Sequence, residues 1–106
     1  MAEPRSIYEA LSAGKPDAAA IAAPGRSTLT RAGLARQAAC IVGGLRSLGV
    51  KKSERVAMVM PNGPEMAVAF LGVAAGAVAA PLNSAYRAEE FDFYLSDLEA
   101  RVLLIE

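Results

Sequence analysis

A parallel α/β sheet is the fold class this sequence predicts, and three apolar segments with the turns around them predict it. Arg55-Val-Ala-Met-Val-Met60 is an almost unbroken apolar run that stops at the turn Pro61-Asn-Gly-Pro64. Gly76-Ala-Val-Ala-Ala-Pro-Leu-Asn83 is a second such run, again closed by proline and asparagine, and a helix-length apolar stretch separates the two. Strand, turn, helix, strand is one βαβ unit, and parallel neighbours need such a crossover. Arg101-Val-Leu-Leu-Ile105 is a third short apolar run, reached through another helical segment.

Each element has a local reason. Ile7 to Ala13 predicts a short helix with Ile7, Tyr8 and Leu11 on one face, ended by Gly14-Lys-Pro-Asp17. Ala18 to Ala22 predicts a short strand, with Pro24-Gly25 as the turn and Ser27-Thr-Leu29 as its return. Thr30 suits a helix N-cap, because its hydroxyl can accept from an orphan backbone N–H. The helix that follows extends to Leu48, and Leu34, Ala38, Ile41, Leu45 and Leu48 recur at spacings of four and three on one stripe. Gly49 is the expected left-handed residue after it, and Val50 the apolar residue that folds back.

Lys51-Lys-Ser-Glu54 reads as a solvated turn, and 55–60 as a strand covered on both faces. Pro64 suits the first turn of the next helix, where a missing N–H is harmless. From Met66 to Ala77 that helix has almost no polar face, so it is expected to lie wedged between the sheet and another part of a larger protein. Val78 to Leu82 is the second strand, with Pro81 near its end and Asn83 in the turn beyond. Phe91, Tyr94, Leu95 and Leu98 mark one face of the last helix, and Glu89, Glu90, Asp92, Ser96 and Asp97 mostly mark the other. The third strand is 102–105, and the lack of any helix to cover it predicts a longer parent protein.

The chain has 106 residues, 54% of them hydrophobic, which fits one domain with a core of small side chains. Eleven basic and eleven acidic residues cancel, which argues against a nucleic-acid partner. The first 64 residues hold nine Lys/Arg against four Asp/Glu, and the rest hold two against seven. Two differently solvated faces explain that asymmetry more simply than a binding device does. Residues 66–82 carry no charge, but 17 residues with two glycines and a proline fall short of the roughly 20 a membrane helix needs. No transmembrane segment and no signal peptide are expected, and a cytoplasmic location follows.

Little in the chain can perform chemistry. The single cysteine, Cys40, lies in a helical pattern beside Ala38, Ala39 and Ile41 and is read as a buried structural thiol, since no histidine exists to activate it. A phosphate-binding glycine loop and a nucleophile elbow are both absent. Gly43-Gly44 falls inside a helix, where close packing is the expected reason for it. Glu89, Glu90 and Asp92 sit in the first turn of a helix, where acidic residues complement the macrodipole, so no metal site is assigned. Ligands of open α/β sheets bind at the carboxyl ends of strands, which leaves Asn62 and Asn83 as the only polar candidates. Turn formation is the simpler role for both.

Taken together, Leu29-Thr30, Leu45-Arg-Ser-Leu-Gly-Val50, Arg55-Val-Ala-Met-Val-Met-Pro-Asn62, Gly76-Ala-Val-Ala-Ala-Pro-Leu-Asn83, Ala88-Glu-Glu90 and Arg101-Val-Leu-Leu104 resemble the opening segment of the AMP-forming acyl-activating enzymes. The resemblance covers almost the whole chain. It implies that residues 1–106 are the N-terminal portion of an AMP-binding domain, truncated before the phosphate loop. The stretch from Ala79 to Asp97 looks like the oxalate–CoA ligase branch, with Arg87 where a threonine N-cap is expected and a weaker helix start in consequence. Gly33 stands where relatives often carry an acidic or amide residue, which predicts a looser start to the 31–48 helix.

The implied reaction joins a small-molecule carboxylate to the α-phosphate of ATP, with Mg²⁺, and passes the acyl-adenylate to coenzyme A. The family's phosphate loop, adenine and ribose contacts and catalytic lysine would lie beyond Glu106, so no catalytic, ATP-binding or metal residue is assigned here and no cofactor is expected on this chain alone. Its partner would be the remainder of its own domain, and a eukaryotic parent would admit a peroxisomal location. The competing reading is a stand-alone, non-catalytic α/β binding or scaffold module derived from that family.

Overall fold

The computed structural model describes residues 5–105, and its centre is a three-stranded parallel sheet. β1 (Ala19–Ile21) and β2 (Leu29–Thr30) form a separate antiparallel pair. β3 (Arg55–Val59), β4 (Val78–Pro81) and β5 (Val102–Ile105) make the main sheet in the order β4-β3-β5. Val56 of β3 pairs with Ala79 on one side and Val102 on the other, both parallel. The return strand of the hairpin falls at Leu29–Thr30, later than the expected Ser27–Leu29.

The helices are α1 (Ile7–Ser12), α2 (Arg31–Ser47), α3 (Pro64–Gly76) and α4 (Ala88–Leu98). In α1 the Ser6 hydroxyl accepts from the Glu9 N–H at 3.1 Å, but Ile7 and Tyr8 stay largely exposed, so the expected apolar face is only partly used. Thr30 caps α2 in the same way, accepting from the Gly33 N–H at 3.1 Å. A hydroxyl cap of this kind is worth about 1 kcal/mol. Gly33 is buried, and a Cβ there would stand 2.8 Å from Leu29 Cδ1. A side chain there would have to displace the end of Leu29, and the Thr30 cap remains intact with the glycine in place.

α2 ends in a complete Schellman arrangement. Gly49 has φ +82°, the Val50 N–H donates to the Leu45 carbonyl at 2.9 Å, and the Gly49 N–H donates to Arg46 at 3.0 Å. Val50 is then buried against Leu45, and both join Val56, Met58 and Val73 in the core cluster. Pro64 is the first residue of α3. At the start of α4 the Glu90 carboxylate accepts from the Arg87 N–H at 3.2 Å, half of a capping box. The Arg87 guanidinium has no acceptor with which to supply the other half.

Three expectations about packing fail. Leu48 is 64% exposed rather than continuing the α2 stripe, because it is the C-cap, where the chain has already turned away toward Gly49. Cys40 is exposed rather than buried; it lies two residues from fully buried Ala38, about 200° around the helix. Gly43 and Gly44 are exposed, and a Cβ on either would meet nothing within 4 Å. The close approach occurs elsewhere: a Cβ on Gly72 would lie 2.4 Å from Ile41 Cδ1, and one on Gly76 2.8 Å from Val42 Cγ2. Two glycines four residues apart on α3 thus admit the side chains of α2.

α3 packs on both α2 and the sheet, with Met66, Ala69, Val73 and Ala77 joining Leu45 around Val56 and Met58, while Phe70 is exposed. It carries the chain from β3 out to β4, and α4 brings it back past β3 to β5. Right-handed crossovers running in opposite directions put their helices on opposite faces. No α4 residue packs against the α2–α3 core cluster, as that placement requires.

Candidate functional site

Parallel pairing brings the carboxyl ends of β3 and β4 side by side, with Met58 opposite Pro81. The Leu82 N–H donates back to the Met58 carbonyl at 2.8 Å. Pro81 sits on an edge strand, where its missing N–H disturbs no ladder. Beyond it the Asn83 side chain accepts from the Ala85 N–H at 2.9 Å, and its backbone carbonyl accepts from Tyr86 at 3.2 Å. Asn83 is thus engaged in an Asx turn. Asn62 is exposed in the β3–α3 loop, one residue before Gly63, which is the N-cap of α3.

Tyr86 leaves this turn to stack on Tyr94 at a centroid separation of 5.0 Å and to meet Phe91 edge-on at 5.7 Å. Desolvation, with smaller contributions from Tyr94 and Glu90, raises the Tyr86 phenol above its ordinary pKa. The cluster fixes the β4–α4 loop against α4. Sequence reading had placed Phe91 and Tyr94 on that face but missed Tyr86, whose loop position breaks the helical spacing.

A second concave feature lies between the hairpin, α2 and the start of α3. It is an open groove of about 390 Å³ floored by Ile21, Leu29, Ile41 and Val68, with Arg26 and Glu65 at its rim. Arg26 Nη1 and Glu65 Oε1 are 2.8 Å apart and join the hairpin tip to the first turn of α3. The hydrogen bond from Arg26 is the main reason the Glu65 carboxyl titrates below its ordinary range.

A depressed folded-state pKa means that this contribution is present above the unfolded carboxyl value and is lost as pH falls through the lower folded value. The side chains are 57% and 54% exposed, so solvent screens most of it. Arg26→Gln is expected to raise the Glu65 midpoint toward the ordinary value in a carboxyl NMR titration. An unchanged midpoint would mean the pair does not persist in solution.

These groups do not assemble a nucleophile with a base. The chain has no histidine, and Cys40 lies on the exposed side of α2. Among the described residues, no three His, Cys, Asp or Glu side chains converge as metal ligands. The carboxyl-end groups of the sheet are Asn62, exposed in its loop, and Asn83, held in its own turn.

The sequence profile of the AMP-binding enzyme family matches residues 8–106, and the chain belongs to that family. It is 44% identical over 94 residues to the oxalate–CoA ligase of Arabidopsis thaliana, an alignment covering 84% of this chain and 18% of that protein. The apo MatB structure from Rhodopseudomonas palustris superposes with a TM-score of 0.84 at 27% identity, over 92% of this chain and 20% of that one. The Klebsiella oxytoca NpsA N-terminal subdomain, solved with 3-hydroxyanthranilyl-AMSN, matches with a TM-score of 0.80 at 28% identity, over 93% of this chain and 25% of that one. The chain thus spans a quarter or less of each of these relatives. Among the described residues no helix is long and apolar enough to cross a membrane.

Proposed function

We propose that residues 1–106 are the N-terminal portion of an AMP-forming carboxylate–CoA ligase, with oxalate as the acid. Its role in that enzyme is architectural. β3, β4 and β5 supply parallel strands of the AMP-binding domain, and the phosphate loop, Mg²⁺ site and coenzyme A contacts belong to further residues of the same enzyme. The 44% identity to an oxalate–CoA ligase across most of the chain carries this reading. The absence of any histidine, together with the engagement of Asn83 in its own turn, supports an inactive isolated chain.

Adenylate formation needs preorganised donors around the α-phosphate and a cation to balance developing charge. Assayed alone with ATP, Mg²⁺, oxalate and coenzyme A, the purified chain is expected to release no pyrophosphate and form no thioester. An enzyme carrying it at its N-terminus is expected to do both, dependent on oxalate. Pyrophosphate release by the isolated chain would overturn the architectural role. An intact enzyme that activates other acids but not oxalate would overturn the substrate.

A further inference from the structure

We draw no further inference here: the strongest candidate, the open groove between the β1–β2 hairpin, α2 and the start of α3, is an apolar surface rimmed by the Arg26–Glu65 pair, and nothing in the structure shows what covers it.

Discussion

Gly72→Leu is expected to destabilise the protein by about 3 kcal/mol, measured as a fall in urea midpoint. The physical reason is local. A Cβ at Gly72 would already lie 2.4 Å from Ile41 Cδ1, 3.0 Å from its Cβ and 3.2 Å from its Cγ1. The Cδ1 contact can swing aside, but the Ile41 Cβ is fixed to the α2 backbone, so the two helices must separate. Gly72→Ala should cost less, because it adds only the Cβ and not leucine's further three carbons, while alanine recovers about 1 kcal/mol of helix propensity. At Gly43, with nothing within 4 Å, only the propensity acts, and Gly43→Ala should stabilise by up to about 1 kcal/mol. Adding Ile41→Ala to Gly72→Leu should recover at least about 1 kcal/mol, since residues in contact do not behave additively. Equal effects at Gly43 and Gly72 would show that the helices do not meet there.

Met58→Ala should cost about 3 kcal/mol, while Leu48→Ala should change stability by less than about 0.5 kcal/mol. Met58 is fully buried on the central strand and packs with Val56, Val73, Leu45 and Val50. Its removal leaves a cavity bounded by two helices and a sheet, none of which can close without disturbing the others. Leu48 belongs to the same periodic stripe as Leu45 in the sequence, yet it is exposed. Thermal or urea unfolding of the two alanine variants tests the core directly: comparable losses at both positions would mean that α2 continues past Ser47 and buries its last turn.

Local rules decided much of this protein. The continuous apolar runs at 55–60 and 102–105, the proline–asparagine turns and the Thr30 and Gly49 positions were readable because each rests on a residue and its immediate neighbours. The contacts of Arg101 with Glu54 and of Arg55 with the Leu98 carbonyl were not readable, because they depend on β5 returning beside β3.

The same division runs through the whole chain. Sequence by itself determined the βαβ units, because backbone periodicity and turn chemistry act over a few residues. It also determined family membership, through the order of motifs. Only the tertiary structure decided which glycines were required for packing, Gly72 and Gly76 rather than Gly43 and Gly44. Only it exposed Cys40 and Leu48 and set Tyr86 on Tyr94. Helical periodicity gives each side chain an angle on its own axis, but which angle is buried depends on where the neighbouring elements lie, and that is set by contacts distant in sequence.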